Sequence, residues 1–316
     1  MRKILVTGAL GQIGSELTRG LRERYGAANV IASSRRIKPG HEDLIESGVF
    51  EVVNVTDAQQ LAETVRKYKI NTIVNLAAVL SAVGEENPQR AWNVNMNGLY
   101  NVLEVAREEN CAVFTPSSIA VFGLLTPKDN TPQDTIQRPN TIYGVTKVAG
   151  ELLCDYYFHK YGVDTRGLRL PGLISYQTLP GGGTTDYAVH IYYEALKHKK
   201  YTSFIAQGTK MDMMYMPDAI DAFIQLLEAD PNKLIHRNAF NVTAMSFAPE
   251  DIAASIKKII PEFELDYAVD PVRQAIADSW PNSMDDSAAR EQWGWEPKYD
   301  LDAMTKDMLA KLKARL

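Results

Sequence analysis

With 316 residues, 45% of them hydrophobic and 23% charged, the chain can bury a sizeable core as one large domain or two lobes. A formal net charge of −5 offers no basic surface for nucleic acid. No apolar run approaches the roughly 20 residues that cross a bilayer. Met1-Arg2-Lys3-Ile4 opens directly into a strand pattern with nothing that reads as a signal peptide. Two cysteines, Cys111 and Cys154, are too few for a disulfide framework and point to a reducing compartment, the cytoplasm. They and the five histidines (His41, His159, His190, His198, His236) show no ligand-like spacing, so the expected chemistry involves no metal.

In chain order, Ile4 to Thr7 reads as a strand, followed by a helix from Gln12 to Tyr25 with apolar Ile13, Leu17 and Leu21 on one side. Strands are predicted at Val30–Ser33, Val49–Val53, Thr72–Leu76 and Ala112–Thr115, with helices near 57–68 and 89–109 between them. A helix over about 141–161 and a strand over Val163–Leu170 close the series. Such alternation predicts an α/β fold, a Rossmann-type doubly wound parallel sheet with helices on both faces. After Pro171 the texture changes to Gly, Pro, Ser and Thr, then to irregular helices and short strands. The expected organisation is a dinucleotide-binding domain over 1–170 with a returning segment near 217–243, and a smaller substrate-binding lobe over 171–316.

Gly8-Ala-Leu-Gly11-Gln-Ile-Gly14 lies between the first strand and the first helix. Glycines there permit a tight turn and let backbone approach a pyrophosphate, which the free N–H groups and dipole of the helix start then stabilise. Gly8, Gly11, Gln12, Ile13 and Gly14 are therefore cofactor candidates. The second strand ends Ala32-Ser33-Ser34-Arg35-Arg36, with no carboxylate to accept from ribose hydroxyls. Ser34 and Arg35 can accommodate a 2′-phosphate; equally, Arg35 and Arg36 can be solvated loop charges. Asn54 and Val55 are expected near the adenine, and Leu76, Ala77 and Ala78 along the phosphates and nicotinamide ribose. Asn95, in the helix predicted over 89–109, is counted with them.

Tyr143-Gly-Val-Thr-Lys147 pairs a phenol with an ammonium at i and i+4, on one face of the predicted helix. A neighbouring positive charge favours a phenolate, which makes Tyr143 a candidate general base. The competing reading is an amphipathic helix with a solvated lysine. Ser117 and Ser118 follow a strand end, where an open α/β sheet faces its ligand, and complete a Ser/Tyr/Lys set.

The glycine turn, Asn75-Leu-Ala-Ala78, Ser117-Ser-Ile-Ala-Val-Phe-Gly123 and Tyr143-Gly-Val-Thr-Lys147 together resemble the extended short-chain dehydrogenase/reductase family, which includes nucleotide-sugar epimerases. Within that family, the 171–188 segment, Lys210-Met-Asp-Met-Met-Tyr-Met-Pro-Asp218 and Ala277-Asp-Ser-Trp-Pro281 resemble the short-chain-type L-threonine 3-dehydrogenases. The resemblance implies oxidation of L-threonine at its β-carbon to 2-amino-3-ketobutyrate, with NAD as the usual oxidant. Ser34 stands where that group usually carries an aspartate, which opens the way to NADP. It further implies that Tyr143 takes the hydroxyl proton while Lys147 holds the phenolate and the nicotinamide ribose. Ser118 is expected to bond the reacting oxygen, with Ser117 beside it. A homodimer pairing helices such as 89–109 and 141–161 is the common assembly.

Thr184, Thr185 and Asp186 are expected to meet the ammonium and carboxylate of the substrate, or else to cap a helix. Ser81 is a further substrate candidate, and Trp280 either caps the pocket or packs in the second lobe. Gly181-Gly182-Gly183 is expected to let that loop close over the ligand. The rival function is a nucleotide-sugar epimerase or dehydratase with the same Ser/Tyr/Lys set. A dinucleotide sensor without catalysis fits less well, because the Tyr/Lys pair is retained. A zinc-dependent threonine dehydrogenase of the medium-chain type lacks its ligands here.

Overall fold

The structure is a computed structural model that describes residues 2–177 and 183–316. It divides into two compact units. The first comprises the chain up to Val121 with Thr141–Arg169 and Ile220–Phe240; the second comprises Phe122–Asn140, Leu170–Ala219 and Asn241–Leu316. Residues 122–140 thus group with the second unit although they precede position 170.

The first unit is built on six parallel strands: β1 (Ile4–Thr7), β2 (Val30–Ser34), β3 (Phe50–Val52), β4 (Thr72–Asn75), β5 (Ala112–Phe114) and β7 (Thr165–Arg166). Their order is β3-β2-β1-β4-β5-β7. The order reverses at β1, which pairs with both β2 and β4 (Val6 opposite Ala32 and Val74). That makes a Rossmann-type doubly wound sheet, with its crevice at the carboxyl ends of β1 and β4. Side chains alternate between faces. Leu5, Ile31, Ile73 and Val113 join a core with Leu61 and Val65, Val102 and Leu103, and Cys154 and Tyr157 from three helices. On the other face, Phe114 lies 4.8 Å from Phe223, ring centroid to ring centroid.

Two predicted elements differ in detail. The strand expected over Val163–Leu170 is broken at Gly167 into β7 and β8 (Leu168–Leu170). A Cβ at Gly167 would stand 2.5 Å from the Thr115 carbonyl oxygen, and its N–H donates to the Arg237 carbonyl at 3.2 Å. The strand therefore changes partner there: β8 lies between β6 (Ser117–Ser118) and β12 (Phe240–Asn241). The helix expected over 89–109 is Pro88–Trp92 and Gly98–Glu108 joined by a π-helical stretch, Asn93–Asn97. Such stretches carry one extra residue per turn and re-aim the side chains they contain.

In the second unit, β11 (Met211–Tyr215) runs parallel to β9 (Gly172–Ile174) and antiparallel to β13 (Met245–Phe247). A separate pair, β10 (Lys200–Ser203) and β14 (Glu264–Tyr267), is parallel. Its core gathers Tyr187, Ile191 and Tyr192 with Ile252 and Ile256, and Met304, Met308 and Leu309.

Candidate active site

The glycine turn is dictated by close backbone approach. Gly8 has φ +69, and a Cβ there would lie 2.9 Å from the Leu76 backbone. A Cβ on Gly14 would lie 2.2 Å from the Gly8 carbonyl oxygen, so the helix could not start where it does. Gly11 is the N-cap of the Gln12–Tyr25 helix and supplies no capping side chain. The first-turn N–H groups of Gln12, Ile13 and Gly14 consequently have no side-chain acceptor of that kind, and they suit an anionic diphosphate.

A cleft of about 370 Å³ opens from this turn, within the size range of small-molecule sites. Gly8, Gly11, Ser34, Arg35, Asn54, Val55, Leu76, Ala77 and Ala78 line it together. Ser34 closes β2 and is buried, whereas Arg35 and Arg36 are exposed; Arg35 lines the cleft and Arg36 is absent from its wall. Sequence reasoning overlooked Lys38 and Arg90, which also line it, and none of the described lining residues is acidic. The Asn54 side chain accepts from the Thr56 N–H at 3.2 Å. The residues present fit a dinucleotide: a turn that only glycine permits, a helix start and cationic side chains in the lining.

Asn95, in the π-helical stretch, is engaged by protein. Its amide accepts from the Val79 N–H at 2.8 Å and donates to the Val79 carbonyl and the Thr146 hydroxyl, both at 3.1 Å. It lines a second, small cavity of about 40 Å³ beside Ala77, Ala78, Ser117, Thr146 and Lys147. Leu76, Ala77 and Ala78 border both spaces.

The Ile142–Tyr161 helix starts at Thr141, whose hydroxyl accepts from the Gly144 N–H at 3.0 Å. Tyr143 is thus in the first turn, and the Lys147 Nζ stands 5.5 Å from its ring centroid. Lys147 donates to the Pro116 carbonyl at 2.6 Å, tying the helix to the residue before Ser117. The two serines differ in what remains free to react. Ser117 donates its proton to the Glu151 carboxylate. The Ser118 oxygen accepts from the Ala120 N–H at 3.2 Å, a bond that does not use its proton. Tyr143, Lys147, Ser118 and the cleft all belong to the first unit.

Glu151 was not visible as a functional candidate, yet it sits one turn after Lys147 on the same helix face. Arg169 grips it with two bonds, Nε to Oε1 at 3.0 Å and Nη2 to Oε2 at 2.9 Å. The signal was available in the Tyr143, Lys147, Glu151 spacing of four.

Ser81 opens the Ser81–Glu86 helix in the first unit and is half-buried. Thr184, Thr185 and Asp186 lie in the second unit. Thr184–Asp186 forms a 3₁₀ turn before the Tyr187–His198 helix. Gly183 takes the N-cap position there, ahead of both threonines, and its N–H donates to the Asp186 carboxylate at 2.5 Å. Thr184 is buried, and the Thr185 methyl would lie 2.7 Å from a Cβ on Gly172. Gly181 and Gly182 of the expected hinge fall outside the described residues. Trp280 is half-buried at the end of the Pro271–Ser279 helix. Among the described residues, no three His, Cys, Asp or Glu side chains are grouped to hold a metal ion, and no helix is long and apolar enough to cross a membrane.

Similarity to known proteins extends along the chain. Residues 4–242 match the NAD dependent epimerase/dehydratase family. An uncharacterized epimerase/dehydratase of Staphylococcus saprophyticus is 57% identical, covering 100% of this chain and 98% of that protein. The crystal structure of an L-threonine dehydrogenase from Clostridium difficile is 66% identical with a TM-score of 0.98, covering 100% of this chain and 98% of that one. The holo form of an L-threonine dehydrogenase from Cupriavidus necator is 50% identical with a TM-score of 0.94, covering 98% and 99%. With its glycine turn, parallel sheet and Tyr/Lys helix, the chain belongs to the NAD dependent epimerase/dehydratase family.

Proposed function

We propose that this protein oxidises L-threonine at the β-carbon to 2-amino-3-ketobutyrate, using a nicotinamide dinucleotide held in the first unit's cleft. The observation that carries this reading is full-length likeness, at 50–66% identity, to L-threonine dehydrogenases from two organisms. Bound in the cleft, the nicotinamide supplies the hydride acceptor. Tyr143 removes the proton of the β-hydroxyl, and the Lys147 ammonium beside its ring stabilises the negative charge that this role requires. Ser118 donates to the reacting oxygen, because its proton is not used by the Ala120 contact. Thr184 and Thr185 are assigned to the amino-acid end of the substrate, with Ser81 as a further contact. Asp186 is assigned to the ammonium.

The absence of a carboxylate from the described cleft lining, together with Arg35, Lys38 and Arg90, supports a cofactor bearing an adenosine 2′-phosphate, although NAD is the family's usual oxidant. A homodimer is supported by apolar side chains left exposed along the Gly98–Glu108 and Ile142–Tyr161 helices, namely Tyr100, Leu152, Tyr156 and Tyr161.

Initial rates with L-threonine, using NAD and NADP side by side, test the reading. Turnover with either supports threonine oxidation, and a preference for NADP supports the 2′-phosphate site. No reduction of either, with conversion of a UDP-sugar instead, would replace it with the epimerase reading.

A further inference from the structure

We propose that Glu151, oriented by Arg169, is a positioning residue that holds the Ser117–Ser118 segment in register with Tyr143 and Lys147. This rests on the threonine-oxidising reading above. Ser117, Glu151 and Arg169 are each less than a tenth exposed. The Arg169 fork occupies both carboxylate oxygens, at 3.0 and 2.9 Å, so the carboxylate has little freedom to rotate. Ser117 donates to that same carboxylate. One turn earlier on the helix, Lys147 donates to the Pro116 carbonyl at 2.6 Å. Consecutive residues of the serine segment are thus tied to consecutive turns of the catalytic helix.

The consequence falls on Ser118. Its oxygen must stand within hydrogen-bond reach of the atom that Tyr143 deprotonates, and such placements tolerate little error. The Ser118 oxygen is held by the Ala120 N–H alone among the described side-chain bonds of the site, whereas its neighbour is anchored to a buried ion pair. A buried ion pair adds little net stability compared with apolar packing of the same volume. What this one supplies is a fixed direction for the Ser117 bond, and through it a fixed place for Ser118 and for the carbonyl that Lys147 grips.

The test compares wild type, Glu151→Gln, Ser117→Ala, Ser118→Ala and the Ser117→Ala/Ser118→Ala double variant. Threonine kinetics, thermal melting and cofactor binding by fluorescence are measured on each. Glu151→Gln is expected to bind cofactor normally and to lose on the order of 10–100-fold in kcat, with KM for threonine changed by less than about threefold. Ser117→Ala removes the tie without stranding a charge, and is expected to lower kcat about tenfold while adding no further loss in the Ser118→Ala background. Because it leaves the ion pair intact, it decides the matter if Glu151→Gln does not fold. Wild-type kcat in a folded Glu151→Gln or in Ser117→Ala, with effects confined to melting, overturns the positioning role. So does a Ser117→Ala loss that multiplies with that of Ser118→Ala. A wild-type protein that reduces neither cofactor with threonine overturns the proposed function, whereas wild-type kcat in the variants beside an active wild type overturns the positioning role alone.

Discussion

Asn95 donates to the Thr146 hydroxyl at 3.1 Å, linking the π-helical stretch to the residue that precedes Lys147. The same amide accepts from the Val79 N–H and donates to the Val79 carbonyl. One side chain therefore holds both the loop after β4 and the helix that carries Tyr143. Asn95→Ala leaves the buried Val79 N–H without its acceptor, which costs about 1–3 kcal/mol. We expect a lowered melting temperature together with weaker cofactor binding. Unchanged binding in a destabilised variant would confine Asn95 to the fold.

Tyr143→Phe keeps the ring beside Lys147 and removes only the proton acceptor. It should fold, melt as wild type and bind cofactor, but lose about 10²–10⁴-fold in kcat. Steady-state rates with calorimetric melting check this. Activity within about threefold of wild type would remove Tyr143 from the proton transfer.

Gly14→Ala inserts a methyl group where the Gly8 carbonyl oxygen already stands, 2.2 Å from the ideal Cβ position. Backbone must shift, at a cost of about 1–3 kcal/mol, which displaces the helix start proposed to hold the diphosphate. Dinucleotide affinity should fall by more than tenfold while the variant remains folded at moderate temperature. Equal affinity by titration calorimetry would show that the turn does not contact the cofactor.

Asp212 lies buried on β11 in the second unit, accepting from the Thr243 hydroxyl at 2.5 Å and the Met284 N–H at 2.7 Å. Burial pushes its carboxyl up to about 8, against the lowering effect of those bonds. The folded state therefore keeps a proton that the unfolded chain has released above its ordinary value near 3.8. This contribution is fully present below that value and is lost as pH rises toward about 8, with a slope of up to about 1.4 kcal/mol per pH unit. Asp212→Asn has nearly the same shape, and its amide can donate to Thr243. The variant should melt with a flatter pH dependence between pH 5 and about 8, above the wild-type curve at the alkaline end. Parallel melting curves would show that Asp212 does not titrate in this window.

Much of the first unit was legible in the chain because its rules are local. Short, continuous apolar runs marked β1, β2, β4 and β5, and the Gln12–Tyr25 helix has the predicted bounds. The glycine turn and the Tyr143/Lys147 pair depend on spacings of three and four residues, so sequence alone determined them. Other decisions belong to tertiary structure, because they depend on strand order bringing distant segments together. Sequence cannot show that Ser117 meets a carboxylate 34 positions away, or that Asn95 meets Thr146 51 positions away. Nor can it show that Arg35 lines the cleft while Arg36 does not, since neighbouring side chains after a strand point in different directions. The Gly167 break follows from the Thr115 carbonyl just past the end of β5, a clash that exists only once the sheet has formed. The chain by itself specified the candidate residue types and their local spacing. The fold decided which hydroxyl remains free to react and which is held by a buried carboxylate, because hydrogen-bond partners are assigned by geometry across the sheet.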